Sequence, residues 1–204
     1  MSDARARLFV ALELPDPVRE ALTRWYARLP ESERQALRPV SRDALHVTLC
    51  FLGWQPEAAI EAIAAVCRVV AAEPAPELRL GEAIWLPRRR PRVLAIELED
   101  GARGEVVRGG RGGEVARVQA RLSQALAAGG WYEPETRPFL AHITMARVRT
   151  GARVSGGDTP RPPGLGFQAT RVVLYRSRVR PGGAGYEALA GVELAGAPGQ
   201  VSTP

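Results

Sequence analysis

Leu45-His46-Val47-Thr48-Leu49 is the stretch that decides the reading, because the chain repeats it as Ala141-His142-Ile143-Thr144-Met145. Both runs alternate polar with apolar residues, the period of a half-buried β-strand, on which residues two apart share a face. Each copy therefore presents an imidazole beside a hydroxyl and turns Val47 and Leu49, or Ile143 and Met145, into a core. A lone His-x-Thr reads most simply as an ordinary strand segment. Here the two copies use up every histidine among 204 residues, which points to function.

The pairing suits acid–base chemistry. A histidine titrates near neutrality, with an ordinary pKa close to 6.5, and gives or takes a proton. A threonine hydroxyl beside it donates a hydrogen bond to an anionic oxygen. Two such units facing one cleft supply an acid, a base and two donors, the set that in-line displacement at a phosphodiester requires without a metal. A metal site is the poorer reading. Two imidazoles need carboxylate or thiolate company to hold a catalytic ion, and neither motif has any at useful spacing. No cofactor is expected.

Working outward, Arg7 to Leu14 reads as a strand closed by Pro15, and Asp16 to about Leu29 as a helix with Val18, Leu22, Trp25 and Leu29 on one stripe. A polar connection over 30–43 precedes the first motif strand, which runs to Gly53. A second helix carries Ile60, Ile63, Ala64 and Cys67 at helical spacing and ends before Pro74. Leu78 to Leu86 and Arg92 to Leu98 read as strands around a charged turn, Pro87-Arg88-Arg89-Arg90-Pro91. Residues 101–113 are rich in glycine and arginine and read as an irregular connection. A third helix, Glu114 to Ala128, stops at Gly129-Gly130. The second motif strand spans about 137–149. After a Gly/Pro-rich loop, Phe167 to Arg178 and Tyr186 to Leu194 close the chain, and residues 195–204 read as a disordered tail. This order suggests an internal duplication within one domain over residues 1–204, with the motifs on central strands facing one cleft.

The composition, 46% hydrophobic and 25% charged, is that of a soluble globular protein. The net charge of +6 favours an anionic partner, and all 28 basic residues are arginine. No apolar run is long enough to span a bilayer, and Met1-Ser2-Asp3-Ala4-Arg5 opens no signal peptide, so the expected location is cytoplasmic with no membrane partner. Cys50 and Cys67 form neither a disulfide framework nor a zinc pattern. Cys50 shares the parity of His46 and Thr48, although a small thiol also suits the core.

Beyond the motifs, the chain carries Arg7-Leu8-Phe9-Val10-Ala11, then Leu45 through Gly53, then Arg137-Pro138-Phe139-Leu140-Ala141-His142-Ile143-Thr144-Met145-Ala146-Arg147, then Leu174-Tyr175-Arg176-Ser177 and Tyr186-Glu187. In these segments it resembles the two-histidine (2H) phosphoesterase superfamily, and within it the RNA 2′,3′-cyclic phosphodiesterases, also described as 2′-5′ RNA ligases. The resemblance implies an α+β fold of two pseudo-symmetric lobes, each an antiparallel sheet with helices on its outer face, opposed around a central groove. It implies metal-independent hydrolysis of RNA 2′,3′-cyclic ends to 2′-phosphomonoesters. His46 would be the proton donor to the leaving oxygen and His142 the acceptor of the water proton, with Thr48 and Thr144 on the non-bridging oxygens. The substrates implied are RNA 3′ ends, nucleoside 2′,3′-cyclic phosphates or tRNA fragments, and a monomer is expected. Arg147 matches a basic residue that often ends the second motif. Strict alternation places it on the opposite face from His142, and a bulge would reverse that. Phe9, Phe51 and Phe139 are candidates either for stacking a base or for the core. Arg88, Arg89, Arg90 and Arg92 would follow an RNA backbone or be merely solvated. Two alternatives stay open: a 2′-5′ RNA ligase running the same residues in reverse, and a non-catalytic RNA-binding protein with a vestigial motif.

Overall fold

In the computed structural model, residues 4–100, 107–108, 113–154, 159–180 and 183–196 are described. Ten strands form one sheet: β1 (Arg5–Glu13), β2 (Leu37–Pro39), β3 (His46–Pro56), β4 (Glu77–Leu86), β5 (Val93–Asp100), β6 (Val107–Arg108), β7 (His142–Val148), β8 (Gly166–Gln168), β9 (Arg171–Arg180) and β10 (Gly183–Glu193). Among the described residues four α-helices accompany them: α1 (Asp16–Ala27), α2 (Glu31–Ala36), α3 (Ile60–Cys67) and α4 (Glu114–Ala128). The sheet order is β10-β9-β1-β3-β7-β5-β4-β8, with β2 beside β7 and β6 beside β5. Among the described residues every strand pairing in the sheet is antiparallel, and the sheet is strongly curled.

The two lobes are the two halves of this order, β10-β9-β1-β3 and β7-β5-β4-β8. They meet at a single antiparallel pair, Val47 opposite Ile143. These are the middle residues of the two His-x-Thr motifs, so a pseudo-twofold axis passes between them. The symmetry extends residue by residue into the flanking strands. Glu13, Leu12, Ala11, Val10 and Phe9 of β1 face His46, Val47, Thr48, Cys50 and Phe51. Glu97, Ile96, Ala95, Leu94 and Val93 of β5 face His142, Ile143, Thr144, Ala146 and Arg147 in the same sequence.

The core lies between the helices and one face of the sheet. Val18, Leu22 and Trp25 of α1, Ile63 and Cys67 of α3, and Val115, Val118, Leu122 and Leu126 of α4 pack with Leu8, Val10 and Leu12 of β1 and with Val47 and Ile143. Those helical stripes are the ones their spacing predicts. The expected polar connection over 30–43 instead holds α2, β2 and a 3-10 turn, Arg42–Ala44. The expected strand from Phe167 to Arg178 is two strands, broken at Ala169-Thr170, where the chain crosses from β4 in one lobe to β1 in the other. The expected irregular connection and disordered tail fall largely outside the described residues. Within them, Val107–Arg108 pairs with Glu99–Asp100, and Ala195 bridges Pro74. Among the described residues no helix is long and apolar enough to cross a membrane.

Candidate active site

Both motifs open on the concave face of the sheet. An antiparallel register through Val47 and Ile143 sets His46 across from Thr144, and Thr48 across from His142. The four chemical groups therefore share one face and alternate around the axis.

Each imidazole is held by the chain just before it. His46 Nδ1 donates to the Ala44 carbonyl at 2.7 Å, and His142 Nδ1 donates to the Leu140 carbonyl at 2.8 Å. A carbonyl only accepts, so the neutral ring carries its proton on Nδ1 and leaves the lone pair of Nε2 free on the open face. His46 Nε2 lies 3.0 Å from Thr48 Oγ1, whose hydroxyl donates to it when the ring is neutral. The Ala44 carbonyl belongs to the 3-10 turn, and that turn is clamped by Arg19 of α1. Arg19 is 7% exposed. Its Nη1 donates to the Asp43 carbonyl at 2.8 Å, its Nε to the Leu14 carbonyl at 2.9 Å, and its Nη2 lies 3.7 Å from the Glu13 carboxylate.

The surroundings of the two histidines differ. Phe9 and Tyr186 bring their ring centroids to 4.9 and 5.2 Å from that of His46, and Tyr175 stacks on Phe9 at 5.2 Å. Burial in this aromatic wall pushes the His46 pKa down to about 4, and the positive charges of Arg19 and Arg147 push the same way; the Ala44 hydrogen bond opposes them. In the register of the second lobe, Phe9 and Tyr175 correspond to Val93 and Leu86. These smaller side chains line a cavity of about 840 Å³ that also takes in His142, Thr48, Phe51 and Phe139. One side of the axis is filled with aromatic rings, and the other is open to a ligand.

The bulges decide where the remaining candidates lie. Leu49 has no partner on β1, because Thr48 faces Ala11 and Cys50 faces Val10. Cys50 accordingly turns into the core, away from the face of His46, and Phe51 turns onto the concave face, where it is 46% exposed. Met145 is skipped in the same way between Thr144 and Ala146, which brings Arg147 onto the histidine face, where its charge reaches His46. Phe9 is 4% exposed and walls His46, so no base can reach it. Phe139 is half-buried at the cavity wall. Of the arginine-rich turn, only Arg92 lines the cavity; Arg88, Arg89 and Arg90 are exposed beyond it. Among the described residues no three His, Cys, Asp or Glu side chains gather as a metal-ligand set.

Motif reading assigns no site role to Glu13, Glu97, Arg19, Tyr175 or Tyr186. A signal for the first two does exist: Val10-Ala11-Leu12-Glu13-Leu14 and Leu94-Ala95-Ile96-Glu97-Leu98 are a second repeat, carried by the strands beside the motifs. Arg19 gives no comparable signal, because its role depends on contacts with a turn 23 or more residues away.

Comparison with known proteins gives the family. Residues 12–95 match the family model described as LigT like Phosphoesterase. A relative from Escherichia coli named RNA 2′,3′-cyclic phosphodiesterase is 31% identical over 189 residues, covering 90% of this chain and 93% of its own. One of the same name from Thermus thermophilus is 32% identical, covering 95% and 93%. The crystal structure of E. coli LigT complexed with 3′-AMP superposes with a TM-score of 0.72 at 28% identity, covering 94% of this chain and 99% of that one. Two motif strands joined at their midpoints, a shared concave face and this similarity along almost the whole chain lead to one conclusion: the chain belongs to the LigT-like phosphoesterases of the 2H superfamily.

Proposed function

We propose that this protein hydrolyses the 2′,3′-cyclic phosphate at RNA 3′ ends to a 2′-phosphomonoester, by paired histidine acid–base catalysis and without a metal. The observation that carries the reading is the matched anchoring of the two imidazoles. Each gives Nδ1–H to the carbonyl two residues earlier and keeps Nε2 for chemistry on the same face. The names of the relatives, and the 3′-AMP in the E. coli structure, supply the substrate class.

In this scheme water attacks the cyclic phosphorus in line with the bond to the 3′ oxygen. His142 Nε2 takes the proton of the water, and His46 Nε2 delivers one to the departing 3′ oxygen. Thr48 Oγ1 leaves His46 and, with Thr144, donates to the non-bridging oxygens, where negative charge grows. Arg147 adds positive charge on the His46 side. The terminal nucleoside enters the cavity beside His142, where Phe51 and Phe139 flank its base. Because His46 is neutral in the free protein, the arriving phosphate anion must raise its proton affinity before it can act as the acid. Cys50 and Cys67, buried as free thiols, accord with a cytoplasmic setting.

The test is incubation of the purified protein with a nucleoside 2′,3′-cyclic phosphate in chelator, with the product isomer identified. A 2′-monophosphate formed at an unchanged rate is the expected result. A 3′-monophosphate, or turnover abolished by the chelator, removes the reading.

A further inference from the structure

Beyond the cavity, the concave face continues outward along β3 and β1. Phe51 and Trp54 are the large hydrophobic side chains that stand exposed among the described residues, 46% and 60% respectively. Both lie on β3, past the catalytic threonine. Pairing fixes their side: Phe9 faces Phe51 and Arg7 faces Trp54, and directly paired residues project to the same face. Leu52 is skipped in that register, and Gly53 takes φ +68°, a left-handed conformation that glycine adopts without strain. This second irregularity returns Trp54 to the face of Thr48 and Phe51. The row Thr48, Phe51, Trp54 therefore leads from the phosphate site to open solvent.

Arginines flank that row. The Arg7 guanidinium lies 4.8 Å from the centre of the Phe51 ring, and the Arg5 guanidinium donates to the Trp54 carbonyl at 2.7 Å. Arg5 and Arg7 are exposed. On β1, the partners of Phe51 and Trp54 are two residues apart, a step of about 7 Å. That is on the scale of one nucleotide in an extended strand. Exposed aromatic rings at this spacing, bordered by arginines and continuous with a phosphate site, make a stacking platform for single-stranded nucleic acid.

We propose that Trp54, with Arg5 and Arg7, forms a second RNA subsite, which stacks the base of the nucleotide preceding the one that carries the cyclic phosphate. The RNA strand leaves the active site along β3, with the terminal nucleoside against Phe51 and the penultimate base against Trp54. This rests on the proposed cyclic phosphodiesterase reaction but adds a strand direction and a length preference to it.

The experiment compares kcat/KM for a 2′,3′-cyclic mononucleotide with that for a trinucleotide carrying the same end. In the wild type the trinucleotide is favoured. In Trp54→Ala the trinucleotide-to-mononucleotide ratio falls about fivefold or more, the low end of what stacking one base contributes. Trp54→Phe keeps most of the ratio. Arg7→Gln reduces the salt slope of trinucleotide kcat/KM by about one, as loss of one phosphate contact predicts. Affinity for a fluorescein-labelled trinucleotide ending in a 2′-phosphate follows the same order and needs no turnover. An unaltered ratio in Trp54→Ala, or an equal fall for both substrates, overturns the subsite. Absence of wild-type turnover on the mononucleotide would instead remove the reaction on which the subsite rests.

Discussion

Leu49 and Met145 are the same bulge made twice. Each follows the threonine of its motif, each lacks a partner on the flanking strand, and each is buried. By absorbing one residue, each bulge reverses the parity of the residues after it, in β3 as far as the second irregularity at Leu52. Cys50 and Ala146 join the core, while Phe51 and Arg147 join the histidines.

The first consequence concerns the thiols. Burial pushes both the Cys50 and the Cys67 thiol up to about 12, so neither forms the reactive thiolate in the folded protein. Iodoacetamide at pH 8 should leave both unlabelled in the native state and label both in denaturant. Mass spectrometry of the two samples checks this. Rapid native labelling of Cys50 would mean that the strand continues without its bulge and that the thiol lines the cleft.

Arg147 provides the second. A guanidinium brought onto the histidine face by the Met145 bulge should matter to catalysis, whereas one on the solvent face should not. Arg147→Ala should lower kcat/KM roughly tenfold or more, the usual worth of a charge-assisted contact. Steady-state kinetics on a 2′,3′-cyclic nucleotide decide it, and wild-type values would return the residue to a solvated role.

The pH profile provides the third. Two ordinary imidazoles would both titrate near 6.5. The aromatic wall moves His46 down to about 4, so the histidine pair takes up its second proton, which removes the base, only near that value; the acid limb of kcat/KM, which reports the free protein, should fall there. In kcat the same limb should lie higher, because bound phosphate favours the imidazolium. Arg19 is a positioning residue here, holding the turn whose carbonyl orients His46 while its charge disfavours the protonated ring. Arg19→Gln removes a positive charge, so the acid limb of kcat/KM should move to higher pH while kcat drops. A drop in kcat with an unmoved limb would leave Arg19 a purely structural part.

The same shift makes a statement about stability. The folded pKa of His46 lies below its unfolded value of about 6.5, so the unfolded chain binds the extra proton first. Its contribution is complete above pH 6.5 and is lost as pH falls through that value toward 4. Between pH 7 and 4.5 this one residue should cost about 2–3 kcal/mol of stability. Denaturant melts of wild type and His46→Gln at the two pH values test the point: the variant should lose less. Equal losses would place the acid sensitivity elsewhere.

Catalysis by a pair yields the fifth. His46→Ala and His142→Ala should each lower turnover about a hundredfold or more, and the double variant should be little worse than either. Thr48→Ala and Thr144→Ala should each cost about 2.7–4 kcal/mol of barrier, as loss of an oxyanion donor does. A substrate with a very good leaving group needs little protonation, so it should rescue His46→Ala far more than His142→Ala. The opposite rescue would exchange the two roles.

Local pattern was enough for the parts of this protein governed by local chemistry. Alternation around the two His-x-Thr copies marks strands, the apolar stripes of α1, α3 and α4 mark packed helices, and Gly129-Gly130 marks a stop. The repeated motif also named the candidate site, since every histidine was spent on it. What lay beyond reach depends on partners distant in sequence. A bulge exists only relative to a neighbouring strand, so the faces of Cys50, Phe51 and Arg147 were decided by β1 and β5. The crossing at Ala169-Thr170 depends on which lobe has an open edge for each strand. The asymmetry between two identical motifs is likewise tertiary. Phe9 and Tyr175 fill one side of the axis, while Val93 and Leu86 leave the other open, and these residues meet the histidines only when the sheet curls. Sequence alone names the groups that can do the chemistry, and the burial imposed by the fold decides their proton affinities and where a substrate can enter.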